Sequence, residues 1–248
     1  MRAEKDQWLS EVLGLPSWKL LDLDAATSAD AIAGALMQSA GAGKAFFFAK
    51  VPTHDVALLN KSVRAGFRVV DVNMAFDWTG SAPERVGVDR ISVEIAADAD
   101  HASVEALAAE CFTMSRFHLD PAISTRQAND VKRHWARNSC KGRAPVVYVA
   151  RVQDQTAGFL AVLLHSGPSR TDAVIDLIGV DKRFQGQGIG RALSARFISD
   201  WKTRADRLRV GTQVSNIPAL RLYETLGFRM TDTSYVLHAH MTGGEIAA

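Results

Sequence analysis

The chain has 248 residues, of which 47% are hydrophobic and 8% aromatic, enough for a substantial core. Its 29 basic and 27 acidic residues give a net charge of +2 at pH 7, and this balance argues against nucleic acid or an anionic membrane as the partner. No stretch approaches the ~18 apolar residues of a membrane span, and the first residues lack an apolar signal region, so we expect a cytoplasmic protein.

The first third of the chain shows a strand, a helix and a second strand in the segment FFAKVPTHDVALLNKSVRAGFRVVDVN, residues 47–73. The segment TGSAPERVGVD, residues 79–89, follows and is rich in glycine, proline, serine and charge. Such a composition is typical of a loop between folded units. We therefore divide the chain into an N-terminal unit, residues 1–85, and a larger unit, residues 86–248.

In the larger unit, alternating and helical hydrophobic patterns follow one another along the chain. The predicted strands are RISVEIAA, PVVYVARV, TAGFLAVLLHS, DAVIDLIGV, RLRVGTQV and FRMTDTSYVLHAH. The predicted helices are HASVEALAAECF, TRQANDVKRHWARNSC, residues 189–204 and SNIPALRLYETLG. Hairpin-spaced strands require antiparallel pairing, whereas strand, helix, strand units require parallel pairing. This order predicts an α/β fold with a mixed sheet.

The two units show an internal sequence similarity. At an offset of 161 positions, the strand, helix, strand segment of the first unit aligns with LRVGTQVSNIPALRLYETLGFRMTDTS, residues 208–234. Gly66 and Gly227 fall together at a helix end, where a left-handed glycine is common, but Ser62 stands where the later copy has Tyr223. Two unrelated units could share this ending by chance. The alternative is that the N-terminal unit is a degenerate half-domain that kept the scaffold and lost the site.

The cysteines and histidines favour structural roles. Cys111 and Cys140 lack the spacing of a disulfide framework or a zinc motif, and Cys111 lies on the apolar side of a predicted helix. His238 and His240 alternate on one side of a predicted strand, but two ligands do not make a metal site. We therefore expect no metal.

The most informative stretch is VDKRFQGQGIGRAL, residues 180–193, where a strand gives way to a helix. Gly186, Gly188 and Gly190 leave bare main-chain amides that, together with the helix N-terminus, can face a phosphate. A dinucleotide fingerprint would need glycine in place of Arg191 and a carboxylate at the end of the next strand. The Walker A pattern also fails, since no GK[ST] is present. The loop therefore predicts a diphosphate site of another kind.

Two motifs resemble those of the GNAT superfamily of N-acetyltransferases. Its Q/RxxGxG/A motif, in which the loop binds the diphosphate of acetyl-CoA, is matched by Gln185, Gly188 and Gly190. Its NxxAxxxYxxxGF motif is matched, further on, by Asn216, Ala219, Tyr223, Gly227 and Phe228. The resemblance covers residues 88–242. It implies the GNAT fold with a mixed, mostly antiparallel sheet flanked by helices, and acetyl-CoA as the co-substrate, with no metal.

The resemblance also implies a set of cofactor-binding residues. Loop amides would hold the diphosphate, the preceding strand would pair its main chain with the pantetheine arm, and an asparagine would cap the next helix and contact the cofactor. The residues so implied are Ile178, Gly179, Val180, Gln185, Gly186, Gln187, Gly188, Ile189, Gly190, Arg191 and Asn216. Arg191 is equally compatible with a solvated arginine at a helix start.

Tyr223 and Asp176 are the predicted catalytic residues. Tyr223 and Asn216 are two helical turns apart, so both project from one face. In the family this tyrosine protonates the leaving thiolate; the alternative is a tyrosine that fills the core between leucines. Asp176, on the strand before the loop, is the candidate general base, although it could face solvent while a water chain removes the ammonium proton.

The loop SRFHLDPAIS, residues 115–124, joins two helices where this family builds its acceptor pocket. It offers a charge for phosphate, a ring for a base and polar groups for sugar hydroxyls, in Arg116, Phe117, His118 and Asp120. A polar surface turn is the alternative. We expect an acetyl-CoA-dependent N-acetyltransferase of a small primary amine, and specifically of an amino sugar on a nucleoside diphosphate.

Two other functions stay open at this point. The first is acetylation of an amino acid, an antibiotic or a protein N-terminus, with the same cofactor site and another acceptor pocket. The second is a non-catalytic sensor that binds acyl-CoA. The expected partners are acetyl-CoA and a small-molecule amine, with no nucleic acid and no membrane. A homodimer is compatible with the sequence.

Overall fold

A computed structural model describes residues 1–80 and 90–246. Within these residues, eleven strands form one sheet that seven helices accompany. The strands are β1 (Arg2–Lys5), β2 (Ser17–Leu21), β3 (Ala45–Pro52), β4 (Arg68–Trp78), β5 (Ser92–Ile95), β6 (Val146–Val152), β7 (Gln155–Ser166), β8 (Thr171–Val180), β9 (Arg207–Gln213), β10 (Phe228–Thr242) and β11 (Glu245–Ile246). The helices are α1 (Gln7–Leu13), α2 (Ala29–Ala40), α3 (Val56–Arg64), α4 (His101–Cys111), α5 (Thr125–Asn138), α6 (Ile189–Trp201) and α7 (Ile217–Thr225). None of the helices described is both long enough and apolar enough to cross a membrane.

The sheet has the strand order β1-β2-β3-β10-β4-β9-β8-β7-β6-β5, and β11 adds a short antiparallel pair to the end of β10. Among the described strands, β2 with β3 and β8 with β9 pair in parallel, and the other pairs are antiparallel. The predicted mixed, mostly antiparallel sheet flanked by helices is therefore confirmed. Four N-terminal elements, β1, α1, β2 and α2, were not among the predicted ones.

The predicted division of the chain stays a prediction. Its boundary, near residue 85, lies outside the described residues, between Gly80 and Arg90. One continuous sheet runs through both units, because β4 of the N-terminal unit lies between β9 and β10 of the larger one. The two units therefore exchange their last strands.

The strand register agrees with the internal sequence similarity at the offset of 161 positions. Asn73 of β4 pairs with Ser234 of β10, which is its own counterpart at the offset of 161 positions. Gln213 of β9 pairs with Asn73, just as its counterpart Pro52 of β3 pairs with Ser234. An approximate two-fold axis therefore passes between Asn73 and Ser234. The similarity extends to the two parallel pairs, β2 with β3 and β8 with β9.

Local sequence signals explain where the site-bearing helices begin and end. α5 starts with a capping box in which the Ser124 hydroxyl accepts from the Gln127 main-chain N–H and the Gln127 side chain accepts from Ser124. α7 ends before Gly227, which has a φ of +86° and whose Cα lies so close to Gly80 that a Cβ would come within 2.8 Å. Only glycine fits both requirements.

The hydrophobic core consists of four clusters, and one of them joins the N-terminal elements to the segment between α4 and α5. In the joining cluster, Leu9 of α1 and Phe46 of β3 pack with Phe117 and Val131 of the larger unit. The ring of Trp8 also meets Trp135 of α5 edge to face, with 6.0 Å between the ring centres. The N-terminal unit therefore supports the segment between α4 and α5, where the acceptor loop is predicted.

Candidate active site

A gap opens in the middle of the sheet where two parallel strands separate. β8 and β9 pair from Asp172 with Arg207 to Ile175 with Val210, and no pairing between them continues beyond that point in the described residues. The next residue of β8, Asp176, is skipped in the register with β7 and forms a β-bulge. A main-chain edge of β8 is thus left without a strand partner on one side.

A cavity of about 560 Å³ occupies this gap. Its walls come from the end of α4 and the following loop, one residue of α5, the diverging strands, the glycine loop and α7. The lining residues include Cys111, Phe112, Thr113, Met114, Ser115, Lys132, Ile175, Asp176, Leu177, Ile178, Gly179, Val180, Gln185, Gly186, Gly188, Ile189, Gly190, Thr212, Asn216, Leu222 and Tyr223. The predicted cofactor loop, the candidate base and the candidate acid are brought together on this one cavity.

The glycine loop presents unbonded donors at a helix start. Gly186 and Gly188 have φ values of +77° and +86°, and Gly188 is the residue before α6. In the described structure, no main-chain N–H group of residues 186–191 donates a hydrogen bond to another protein atom. Free amides at a helix N-terminus attract anions, and diphosphate is the anion best matched to several of them. The local geometry has the character expected of a diphosphate cradle.

Most of the residues predicted to bind the cofactor line the cavity, and two do not. The side-chain amide of Gln187 donates to the Arg183 carbonyl at 3.1 Å, outside the cavity wall. Arg191 is also absent from the wall. Position 179 has no room for a side chain, because a Cβ on Gly179 would lie 2.6 Å from the Cys111 sulfur. The contribution of Gln187 and Arg191 would therefore be through main-chain amides.

Asn216 and Tyr223 face the cavity from α7. The Asn216 side chain accepts from the Ala219 main-chain N–H at 3.4 Å and donates to the Thr212 hydroxyl at 3.2 Å, so it caps the helix as expected. Tyr223 is 2% exposed, and its ring packs between Phe76 and Phe228. Burial raises the pKa of the Tyr223 phenol, which therefore stays protonated near neutral pH and can act as a proton donor.

Asp176 is held by two donors. Its carboxylate accepts from Trp135 Nε1 at 2.7 Å and forms an ion pair with Arg143. It lines the cavity as predicted, so the alternative that it merely faces solvent does not describe it. Its role as general base stays a prediction: Oδ2 accepts from both Trp135 and Arg143, and Oδ1 accepts from Arg143 Nη2 at 3.4 Å.

None of the four side chains predicted to bind the acceptor lines this cavity, and their role stays a prediction. The Arg116 guanidinium lies 4.2 Å from the ring centres of both Phe48 and Phe117, and Arg116 Nη1 lies 3.0 Å from Nε2 of His238. Phe117 is 1% exposed, so its ring is not free to stack on a base. Arg116 and Phe117 instead fix the loop against β3 and β10. The cavity uses the residues just before them, 111–115.

Asp120 joins the two histidines of β10, which forms a three-residue cluster that the sequence does not reveal. Its Oδ2 atom accepts from His238 Nδ1 at 2.6 Å and from His240 Nε2 at 2.8 Å. Since Arg116 can only donate, His238 Nε2 is an acceptor and the proton sits on Nδ1. Burial lowers the pKa of His238 to about 4, against the opposing effect of Asp120. The Nδ1 atom that a metal would need is thus protonated, and the cluster acts as a hydrogen-bonded clasp.

Two residues that line the cavity, Ser115 and Lys132, were missed in the sequence analysis. The Ser115 hydroxyl lines the cavity and is bonded to His118 Nδ1 at 2.7 Å, and His118 Nε2 is bonded to Asn129 Oδ1 at 2.9 Å. Burial lowers the pKa of His118, so this ring is neutral near pH 7. Lys132 points to the same wall from α5. The spacing of Ser115 and His118 was the one available signal, while Lys132 looked like part of a solvated charged face.

Cys111 has the structural environment that its sequence position suggested. Its sulfur packs against Gly179, and burial raises the pKa of the thiol to about 12. A thiol in this state is a poor nucleophile.

Comparison with known proteins identifies the family. Residues 102–228, just over half of the chain, match the model of the acetyltransferase (GNAT) family. SpsD, a spore coat polysaccharide biosynthesis protein of Bacillus subtilis (strain 168), is 37% identical over 134 residues, which are 53% of this chain and 45% of SpsD. The L-amino acid N-acetyltransferase AaaT of Escherichia coli (strain K12) is 30% identical over 88 residues, which are 34% of this chain and 54% of AaaT. The matched regions thus span about half the length of these curated relatives.

Solved structures share the fold over nearly the whole chain. A GCN5-related N-acetyltransferase from Kribbella flavida covers 95% of this chain and 83% of its own, with a TM-score of 0.57 and 14% identity. A conserved protein of unknown function from Staphylococcus epidermidis ATCC 12228 covers 96% and 90%, with a TM-score of 0.59 and 15% identity. The separating parallel strands, the glycine loop and the match to the family model lead to one conclusion: this chain belongs to the GNAT acetyltransferase family.

Proposed function

We propose that this protein transfers the acetyl group of acetyl-CoA to a primary amine of a small acceptor. The observation that carries the proposal is the set of unbonded amides of residues 186–191 at the N-terminus of α6, beside the unpaired edge of β8. Such a cradle would hold the diphosphate, and the strand edge would take the pantetheine arm as an additional strand. The thioester would then lie in the gap between β8 and β9.

The cavity wall offers a proton donor for the departing sulfur and two routes for the proton of the amine. The amine attacks the thioester carbon, and the departing sulfur takes a proton from the Tyr223 phenol, which burial keeps protonated. The proton lost by the amine can pass to Asp176, or through the Ser115 hydroxyl to neutral His118. The second route would leave an imidazolium whose Nε2–H stays bonded to Asn129.

An amino sugar linked to a nucleotide is the acceptor that the sequence favours. Segments of the chain resemble dTDP-fucosamine acetyltransferase, which acetylates the 4-amino group of a dTDP-linked 4-amino-4,6-dideoxygalactose. The similarity to SpsD, named for polysaccharide biosynthesis, supports a sugar acceptor. The similarity to AaaT supports a second candidate, an L-amino acid. Both candidates use the same cofactor site.

We also propose that the N-terminal unit is a degenerate copy that binds no acetyl-CoA. The loop between β2 and α2, which corresponds to the glycine loop, has no glycine and carries Asp22 and Asp24. Asp24 already accepts from the main-chain N–H groups of Ala26 and Thr27. These carboxylates would repel a diphosphate. In place of the phenol of Tyr223, the unit has Ser62, whose hydroxyl donates to its own helix.

Replacement of Tyr223 by phenylalanine tests the catalytic proposal. We expect Tyr223→Phe to lower kcat near neutral pH by about 100-fold or more, because general acid catalysis is lost. Its affinity for acetyl-CoA, measured by calorimetry, should stay within a factor of about two, since the phenol meets only the sulfur. Tyr235→Phe is the matched control, because Tyr235 lies on β10 outside the cavity and should keep wild-type turnover.

The acceptor itself is found by screening nucleotide-linked amino sugars, amino acids and polyamines for acetylation with the wild-type protein. Binding of acetyl-CoA without turnover of any amine would support a sensor instead. Wild-type turnover by Tyr223→Phe would contradict the role of the Tyr223 phenol as the general acid.

A further inference from the structure

The cavity wall contains one charge that the protein itself does not neutralise. Lys132 of α5 is 7% exposed and lines the cavity. Its Nζ atom lies 4.7 Å from the ring centre of Phe112 and 4.8 Å from that of Trp135. Across residues 1–80 and 90–246, no carboxylate lies within 4.0 Å of this nitrogen, and no protein oxygen accepts a hydrogen bond from it.

A buried ammonium without a counter-ion is costly, and the two rings offset only part of that cost. Burial, aided by repulsion from Arg116, lowers the pKa of Lys132 to about 8. At pH 7 the side chain is therefore still mainly protonated. It has three N–H donors available to whatever enters the cavity.

Asp176 is the other charged residue among those that line the cavity, and its carboxylate already has hydrogen-bond partners. Its carboxylate is paired with Arg143 and bonded to Trp135, so it is not free to pair with Lys132. Among the residues that the structure describes, none around Lys132 can therefore become its counter-ion without breaking an existing bond.

The cofactor does not supply the missing anion either. Its diphosphate would lie at the glycine loop, which begins after Val180. The Lys132 ammonium instead lies against the rings of Phe112 and Trp135, and the Trp135 indole is bonded to Asp176. Four residues of extended strand, about 13 Å, separate Asp176 from Val180. The pantetheine arm between these points is uncharged. The remaining source of an anion is the acceptor.

We propose that Lys132 is an anion-binding residue of the acceptor site, so that the acceptor is an amine that also carries a carboxylate or a phosphate. The proposal rests on the proposed acetyltransferase function and narrows its substrate class. Phe112 and Trp135 fix the position of the ammonium, and the anion would complete its coordination. An amino acid and a nucleotide-linked amino sugar both meet this requirement, whereas a simple polyamine does not.

The test compares acceptors in pairs of which one member carries the anion and the other does not. One pair is a nucleoside-diphosphate amino sugar and its phosphate-free methyl glycoside, and the other is an L-amino acid and its amide. The wild type, Lys132→Met, Lys132→Gln and the control Lys202→Met are assayed for kcat/KM, and binding of acetyl-CoA by calorimetry verifies that each is folded. Lys202 is exposed at the end of α6.

We expect the wild type and Lys202→Met to prefer the anionic member of one pair by at least about tenfold. Both Lys132 variants should lose this preference while they still bind acetyl-CoA. The pair that shows the effect distinguishes a phosphate from a carboxylate. Equal kcat/KM for both members of both pairs in the wild type would contradict the anion site but leave the acetyltransferase function intact. Absence of acetyl transfer to all four amines would contradict the proposed function, and the anion site with it.

Discussion

Substitution of Gly186 tests the diphosphate cradle through charge alone. Gly186 has a φ of +77°, and a Cβ built there meets no atom within 4 Å. Aspartate and asparagine are the side chains that best tolerate a left-handed backbone, so Gly186→Asp and Gly186→Asn should be strained to a similar extent. The two variants have nearly the same shape and differ by one negative charge. Any difference in their affinity for acetyl-CoA therefore reports the electrostatics of the loop.

The size of the effect follows from the distance between the new carboxylate and the bound diphosphate. Two unit charges about 5 Å apart repel by about 1 kcal/mol in water and by about 3 kcal/mol at an effective dielectric constant of about 20. Since about 1.4 kcal/mol corresponds to a tenfold change, Gly186→Asp should bind acetyl-CoA between about fivefold and 200-fold more weakly than Gly186→Asn. Salt should reduce the gap, because the loop is exposed.

The affinities are measured by titration calorimetry at low and at high ionic strength. A short acetyl thioester without the diphosphate, used as acetyl donor, is the ligand control, and its kcat/KM should be similar for the two variants. Equal affinities of Gly186→Asp and Gly186→Asn for acetyl-CoA at low salt would refute the reasoning, because a negative charge in the glycine loop would then have no effect on the binding of acetyl-CoA.

Three further predictions concern the scaffold of the site. Arg116→Met should lower the free energy of unfolding by about 1–3 kcal/mol in denaturant titrations, because Nε2 of His238 loses its donor; an unchanged midpoint would contradict the clasp. In the unfolded chain His238 becomes protonated below pH 6.5, whereas in the folded protein, where Arg116, Asp120 and His240 surround it, its pKa is about 4. The free energy of unfolding should therefore fall as the pH drops from 6.5 to 4, and it should fall less steeply in His238→Phe. Cys111, with its pKa of about 12, should resist iodoacetamide at pH 7.5, as judged by mass spectrometry of the native protein; rapid labelling would contradict the raised pKa.

Most of the residues predicted to bind the cofactor lie together on one cavity, because their placement depends on local signals. The three glycines of the loop and the asparagine at the start of α7 act within a few residues of the chain. The strand, helix, strand order before and after the loop then fixes where these elements meet. Backbone geometry set by short sequence spacing is the part of a fold that patterns reveal most directly.

The contacts of the predicted acceptor loop could not be foreseen, because the residues that make them are distant in sequence. Asp120 and Arg116 looked like free polar groups, yet each is used by His238, more than 100 positions later. Lys132 lies in the segment VKRHWAR, whose charges suggest a solvated helix face. Only the packing of α5 against Phe112 turns this side chain inward. Such side-chain directions result from tertiary packing, which no local pattern contains.

The exchange of strands between the two units has a consequence for how the protein can be divided. β4 of the N-terminal unit lies between β9 and β10, and β10 of the larger unit lies between β3 and β4. Neither half alone therefore contains all the strand partners of its last long strand. A fragment of either half alone would expose a bare sheet edge, which invites aggregation. Two fragments produced together would recover each other's missing neighbours. The protein is thus suited to splitting into complementary pieces whose association restores the acetyltransferase scaffold, and unsuited to the deletion of either piece.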